Sequence, residues 1–259
     1  MNLNETPLKI ERQSQIKKMI EESGRVTVPE LSDLFIVSEA TIRRDLEELD
    51  GDGWIRRTHG GAVRAERAAK EPPIIQRSVI QETEKKSIGK SAASLIKDGE
   101  TIFLGSGTTV LEVARNIPKN IHLTVITNSL PVINELTEFL NVEMIVIGGM
   151  FRQSELSMVG HIAAQTIQEF RADRAFIGIR GIDVHHGFTN DYLPETTTDR
   201  AILTISPQIV VVADHTKFGR VSTMLVGPIT AANEIITDIG TDTEYINELI
   251  ELGIKVKQV

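Results

Sequence analysis

Ser106, Thr108 and Thr109 stand in the run Gly105-Ser106-Gly107-Thr108-Thr109, directly after the apolar "TIFL". Glycines let a backbone approach a ligand closely, and hydroxyls and free N–H groups at a helix start hold an anion. The run has neither the GxGxxG of a dinucleotide fingerprint nor the lysine of a Walker loop. Comparable residues follow other apolar runs: Asn128 and Ser129 after "LTVIT", Gly148 and Gly149 with Arg152 close behind after "VEMIVI", and Asp214 and Lys217 after "IVVVA". Each alone is as readily a tight turn. Four at equivalent places, with complementary chemistry, fit a small phosphorylated ligand.

A second chemistry is carried by arginine. The stretch "VSEATIRRDLEELDGDGWIRRTHGGA" holds the pairs Arg43-Arg44 and Arg56-Arg57 within a chain of 259 residues and formal charge -8. From Arg56 to Lys70 the basic residues are Arg56, Arg57, Arg64, Arg67 and Lys70, and only Glu66 is acidic. A local basic patch on an acidic body can bind a polyanion while the body's charge keeps weak nonspecific binding down.

The elements around these arginines follow from pattern. Glu11 to Ser23 has a helical stripe of Ile16, Met19 and Ile20, and Gly24 stops it. Thr27, Pro29 and Glu30 predict a capped second helix whose buried face is Leu31 and Leu34. Ser38 caps a third helix, Glu39 to about Leu49, with Val37 and Ile42 as a hydrophobic staple and Ile42, Leu46 and Leu49 in the core. Thr41, Arg43 and Arg44 lie off that stripe, and Ala40 is small enough for close approach, so the helix start can enter a major groove. Trp54 and Ile55 seal the hydrophobic edge. Arg56 to His59 reads as one arm of a hairpin with Gly60-Gly61 at its tip, a wing whose arginines would lie along phosphates or in the minor groove. Spacing alone also allows a three-helix protein-interaction module with its arginines solvated or paired to Asp45, Glu47 and Glu48.

Val63 to Glu84 has no steady period, and Pro72-Pro73 forbids a continuous helix. It reads as a linker with a helical start through Glu66 to Glu71. Either Ile74 and Ile75 pack on the next domain or the segment is a loose tether. Beyond it, apolar runs of four to six residues alternate with helical stretches, which predicts a mainly parallel α/β domain with ligands outside the carboxyl ends of its strands.

Two long continuous runs, "RQSQIKKMIEESGRVTVPELSDLF" and "SEATIRRDLEELDGDGWIRRTHGGA", resemble the winged helix–turn–helix of the DeoR family of bacterial transcriptional regulators. The resemblance continues through "DGETIFLGSGTTVLEVAR", "LTVITNSLPVINEL", "MIVIGGMFR", "ADRAFIGIRGID" and "VVVADHTKFGR", and so covers nearly the whole chain. It implies an N-terminal winged helix–turn–helix over residues 8–63, a linker over 64–82, and an effector domain over 83–259. That domain is similar in fold to ribose-5-phosphate isomerase and glucosamine-6-phosphate deaminase, and senses phosphorylated sugars or related metabolites. The DNA-facing set is then Ser38, Ala40, Thr41, Arg43 and Arg44 on the recognition helix, with Arg56, Arg57, Thr58, His59 and Gly60 on the wing. The phosphate falls to Ser106, Gly107, Thr108 and Thr109. Asn128, Gly149, Arg152, Gly181, Asp214 and Lys217 line the rest of the pocket, and Gly105 and Ser129 complete the set. The chain departs from the family where Gly105 replaces a common aspartate, removing a sugar-hydroxyl acceptor, and where Asp199 replaces a common lysine, reversing a charge.

The implied function is a sequence-specific DNA-binding regulator, most simply a repressor of a carbohydrate-catabolic operon. It would act as a homodimer or homotetramer on double-stranded operator DNA, with affinity altered by a phosphorylated sugar. The alternative is a sugar-phosphate-binding protein acting through protein partners, with the N-terminal module as an adaptor. Glu195, Asp191, Asp214 and His215 could serve proton transfer, but the fused winged helix points to sensing rather than catalysis. The chain has no cysteine, and its six histidines have no metal-ligand spacing, so neither a disulfide framework nor a zinc site is expected, and no cofactor is. A polar start and the lack of any apolar run near ~18 residues predict no signal peptide and no membrane span. The expected location is the cytoplasm.

Overall fold

The computed structural model describes residues 9–51, 55–58, 60–64, 66–67 and 72–259. Trp54 and His59, read above as edge seal and wing residue, lie outside the described residues. So do residues 68–71 of the expected linker helix and residue 8 at the expected domain start. The chain forms two compact units, residues 1–67 and 68–259.

In the first unit α1 is Lys9–Ser23, β1 Arg25–Thr27, α2 Val28–Phe35, α3 Glu39–Gly51, β2 Ile55–Thr58 and β3 Gly61–Arg64. Gly24 takes a positive φ and returns its N–H to the Ile20 carbonyl (2.9 Å), ending α1. Thr27 and Glu30 make a reciprocal capping box at the start of α2. Ser38 Oγ accepts from the Thr41 N–H (3.2 Å) at the start of α3. Ile16, Ile20, Leu31, Ile42, Leu46, Leu49, Ile55 and Ala62 form one core.

Three expectations change here. Leu34 is 56% exposed, and Val28 and Phe35 fill its place beside Leu31, because α2 is only eight residues long and its buried face is set by its two neighbours. Gly61 is not at the hairpin tip. It is the first residue of β3, opposite Thr58, and it also pairs with Thr27 of β1, so the wing is a three-stranded antiparallel sheet. A Cβ at Gly61 would stand 2.0 Å from the Val26 carbonyl oxygen, so only glycine lets β1 close on β3. Finally, Glu66–Arg67 (β4) is extended rather than helical.

The second unit begins with a single turn α4, Ile74–Arg77, then α5, Glu82–Ala93. There follow β5 Thr101–Leu104, α6 Thr108–Arg115, β6 Leu123–Thr127, α7 Leu130–Leu136, β7 Val142–Val146, β8 Met150–Arg152, β9 Ser157–Val159 and α8 His161–Gln168. After these come β10 Arg174–Ile177, β11 Gly181–Asp183, β12 Gly187–Asn190, α9 Leu193–Ile202, β13 Ile209–Val212, β14 Arg220–Val221, β15 Met224–Gly227, β16 Glu234–Thr237, α10 Thr243–Glu251 and β17 Lys255–Gln258.

Seven strands form one sheet in the order β17, β16, β13, β10, β5, β6, β7, with every pairing parallel. Alternate residues of each central strand enter opposite cores. Ile102, Leu104, Phe176, Val210 and Val212 pack with α5 and α6, and Phe103, Ala175, Ile177 and Val211 with α8 and α9. Burial on both faces is why these strands read as unbroken apolar runs. The chain runs outward from β5 to β6 and β7, returns to β10 beside β5, and runs outward the other way. The order therefore reverses between β5 and β10, and such a switch point leaves a crevice at the strands' carboxyl ends.

Ile74 is buried and Ile75 exposed, and the Ile74 N–H donates to the Ser154 carbonyl (2.8 Å). The segment that the sequence left as either packed or tethered is packed. No helix among the described residues is long and apolar enough to cross a membrane.

Candidate functional site

A cavity of about 260 Å³ opens at that switch point, lined by the segments after β5, β10 and β13. From the first come Ser106, Gly107, Thr108 and Thr109, from the second Gly178, Ile179 and Arg180, and from the third Val212, Ala213, Asp214, Thr216 and Lys217. Gly107 is the N-cap of α6 at φ 121°, a conformation open to glycine, and it makes no side-chain cap bond. The first N–H groups of α6 are thus left for a ligand, with the helix dipole behind them. Thr108 and Thr109 are 7% and 8% exposed, line the cavity, and have no side-chain hydrogen bond among the described residues. Their hydroxyls are open to the cavity, where they and the N–H groups of the helix start can meet an acceptor from outside the chain.

Across from it the wall is charged. Asp214 accepts from the Thr216 N–H (3.0 Å) and so caps the turn His215–Lys217, which brings Lys217 to the cavity. Arg220 and Arg180 line it too, Arg180 being paired with Asp191. Pro72, Arg77, Ile80 and Lys85 complete the lining from the N-terminal end of the unit. Arg77 forms an ion pair with Glu155, and Lys85 Nζ donates to the carbonyls of Arg77 (2.8 Å) and Ile80. The remaining carboxylates are Glu195 and Asp199 on α9. Asn190 Nδ2 donates to both, at 3.1 Å and 3.0 Å, and Arg152 pairs with Glu195. Burial first, and the neighbouring Glu195 charge second, push the Asp199 carboxyl well above the usual carboxylate range, against the opposing Asn190 hydrogen bond.

Of the residues singled out by sequence, Ser106, Gly107, Thr108, Thr109, Asp214 and Lys217 meet at this cavity. Gly105, Asn128, Ser129, Gly149, Arg152 and Gly181 do not line it. Gly105 is buried in the ladder, its N–H donating to the Phe176 carbonyl (3.0 Å). Asn128 and Ser129 follow β6, which lies one strand away from the switch point. The β8–β9 hairpin covers that end: Asn128 Nδ2 donates to the Met158 carbonyl (2.9 Å), and Ser129 bridges Ser157. A Cβ at Gly149 would stand 3.0 Å from Ala163 and from the Val159 carbonyl oxygen, and one at Gly181 2.5 Å from the Arg220 carbonyl oxygen. These two glycines serve packing. Arg152 lies behind the wall, its guanidinium 4.3 Å from the Tyr192 ring centre.

The lining residues Arg77, Lys85, Glu155, Arg180 and Asn190 were missed. Arg180 was within reach, since it follows β10 as Ser106 follows β5. Arg77 and Lys85 had no signal, because their segment is aperiodic and its course depends on the fold. Among the candidates for proton transfer, Glu195, Asp191 and His215 are tied to Arg152, Arg180 and Asp238. Among the described residues no group of three acids or histidines is placed to hold a metal ion.

In the first unit Ser38, Ala40, Arg43 and Arg44 are exposed on α3, and Thr41 is half-buried with its hydroxyl 2.9 Å from Ser38 Oγ. Arg43 reaches Glu39 (3.1 Å) in an exposed pair of the kind worth little, and Arg44 has no ion pair among the described residues. On the wing, the Arg57 N–H donates to Asp50 (3.2 Å) and its guanidinium lies 4.0 Å from Glu47. Thr58 is half-buried and Gly60 exposed, the Gly60 carbonyl accepting from the Val28 N–H (2.7 Å). Arg56 is on β2, and the structure describes only its backbone. These groups share one module: a helix start with two exposed arginines, and a sheet whose strand β2 carries two more.

Comparison with known proteins matches residues 12–68 to the DeoR-like helix-turn-helix domain and residues 80–239 to the DeoR C terminal sensor domain. The HTH-type transcriptional regulator YulB of Bacillus subtilis is 32% identical over 249 residues, 96% of either chain. The transcriptional repressor AccR of Agrobacterium fabrum is 35% identical over 90% of this chain and 91% of its own. The HTH-type transcriptional repressor CsqR of Escherichia coli is 35% identical over 88% and 87%. Among solved structures, ribose 5-phosphate isomerase A of Methanocaldococcus jannaschii aligns at a TM-score of 0.40 and 19% identity, over 53% of this chain and 55% of that one, a likeness too loose to bear on what the cavity binds.

Proposed function

Since the chain belongs to the DeoR family of helix–turn–helix transcriptional regulators, we propose that it represses a carbohydrate-catabolic operon and that a phosphorylated sugar, or a metabolite derived from one, alters its DNA affinity from the switch-point cavity. The observation that carries this reading is the uncapped start of α6, where Thr108 and Thr109, without side-chain hydrogen bonds among the described residues, line a cavity that Lys217 and Arg220 also line. A phosphate monoester supplies the acceptors those groups lack. The relatives AccR and CsqR, both named repressors, favour repression.

DNA reading falls to the first unit. Arg43 and Arg44 at the start of α3 would meet base edges or phosphates, and the wing arginines the flanking backbone. A repeated operator calls for at least a dimer. Sensing falls to the second unit, which draws residues 72–80 of the expected linker into the cavity wall. That segment directly follows the first unit in sequence. A ligand that moves it acts on the connection to the DNA-binding unit, and a coupling of about 1–3 kcal/mol would change affinity roughly 5- to 150-fold.

The test is fluorescence anisotropy of the full chain on DNA upstream of its own gene cluster, beside unrelated DNA of equal length, at about 0.15 M salt. Specific binding tighter by at least about a hundredfold, released by one of a panel of phosphorylated pentoses and hexoses, is the expected result. Equal, weak binding to both DNAs would move the adaptor reading forward.

A further inference from the structure

The carboxylates of the cavity wall are unevenly balanced. Glu155 has Arg77 and Glu195 has Arg152, but Asp199, 8% exposed, has among the described residues no ion pair and only the neutral amide of Asn190 as a hydrogen-bond partner. Glu195 and Asp199 lie one helical turn apart on α9, so they share a face, and both line the cavity. On α9, therefore, two buried carboxylates share one ion-paired guanidinium, that of Arg152; the buried Asp214 across the cavity is held by the Thr216 N–H, and Lys85, Lys217 and Arg220 line the cavity beside it. A buried charge without a partner either takes up a proton or finds a cation. Burial, and the Glu195 charge after it, push the Asp199 carboxyl well above the usual carboxylate range, toward the protonated form. An asparagine would fill the same space without that penalty. A carboxyl kept at this place suits a cation that arrives from the cavity.

We propose that the effector is a phosphate monoester that also bears a primary ammonium group, and that Asp199 is the residue that selects it. This rests on the reading of the cavity as a phosphate site: the Ser106–Thr109 cradle takes the phosphate, and the α9 wall takes the ammonium. At about 260 Å³ the cavity is slightly smaller than the usual range for small-molecule sites, which suits a single amino sugar phosphate rather than a nucleotide cofactor. On binding, the ammonium replaces the proton of Asp199, which leaves to solvent, so the wall stays neutral throughout.

The experiment is isothermal titration calorimetry on the full chain, in two buffers of different ionisation enthalpy. The probes are glucosamine 6-phosphate and galactosamine 6-phosphate, the N-acetyl form of each, and inorganic phosphate. Acetylation keeps ring and phosphate, removes the positive charge and adds an acetyl group, and a preference that comes from that bulk alone would survive D199N. At least one amino form is expected to bind about 30-fold or more tighter than its N-acetyl form, and to release more protons on binding than that form does. D199N should abolish both differences and leave phosphate binding in place. Amino forms no tighter than N-acetyl forms, or a preference that survives D199N, would overturn the role of Asp199 while leaving the phosphate site standing. Failure of every probe, inorganic phosphate included, would sink the phosphate site itself. The proton count in the unmodified protein decides the matter even if D199N does not fold.

Discussion

Asp199 makes a prediction about stability as well as binding. Its carboxyl is raised in the folded protein, so between the unfolded value of about 3.9 and the folded value the native state holds a proton that the unfolded state has lost. Stability therefore falls as pH rises through that window, and the whole penalty is present above it. D199N removes the penalty and should raise the melting temperature at neutral pH, with the gain vanishing in acid below the unfolded value. A melting temperature lowered at neutral pH would show that the carboxylate is favourably held. Thr108 lies on the opposite side of the balance, a hydroxyl on the cavity wall with no side-chain hydrogen bond among the described residues. Thr108→Ala should leave DNA binding intact and weaken a phosphate ligand by about 10- to 100-fold, the usual worth of a hydrogen bond to a charged group. Lys217→Ala should act in the same direction, and unchanged ligand affinity in both variants would refute the assignment.

Among the elements, α3 depends on α1 for its position. Arg12 and Asp45 form an ion pair almost fully removed from solvent, joining the two helices beneath the exposed arginines. Removing Asp45 takes the ion-pair carboxylate from a buried guanidinium, so Asp45→Ala should destabilise the N-terminal unit by about 3–5 kcal/mol. Trp54 is the chain's sole tryptophan and falls within the residues matched to the helix-turn-helix model, so its fluorescence in a urea titration reads this loss. Circular dichroism, dominated by the second unit, should show that unit unfolding at an unchanged midpoint. A midpoint shift in both signals would mean that the units unfold as one.

For the whole molecule, charge is the quantity that separates the readings. An acidic chain of formal charge -8 that still binds DNA must do so through local cations, and each phosphate contact releases counterions. The dependence of log K on log salt should be steep, and Arg44→Ala should lower its slope by about one unit if Arg44 meets a phosphate. If Arg44 reads a base instead, the loss is about 1–3 kcal/mol on the operator alone, with the slope on unrelated DNA unchanged. Coupling is reciprocal, so operator DNA must weaken effector binding by the same factor by which effector weakens DNA binding. Sedimentation of the chain with and without operator would read the expected dimer or tetramer directly.

The sequence by itself determined the local structure: the capping box at Thr27 and Glu30, the stop at Gly24, the start of α3 at Ser38, and the buried strands as apolar runs. Each depends on neighbours within a few residues, and that information lies in the chain's own order. It also determined the cradle at Ser106 to Thr109, because a strand, a glycine and a helix start are adjacent in sequence. Only the tertiary structure decided which strand ends share a site. Asn128 and Ser129 carry the same chemistry as Ser106, but the sheet order places β6 beside the switch point rather than at it, and a hairpin closes it off. The same long-range order brings Arg77 and Lys85 to the cavity and turns Gly149 and Gly181 into packing residues. It also brings Arg77 to Glu155 and Arg152 to Glu195, pairs 78 and 43 positions apart, and leaves Asp199 with no ion pair among the described residues.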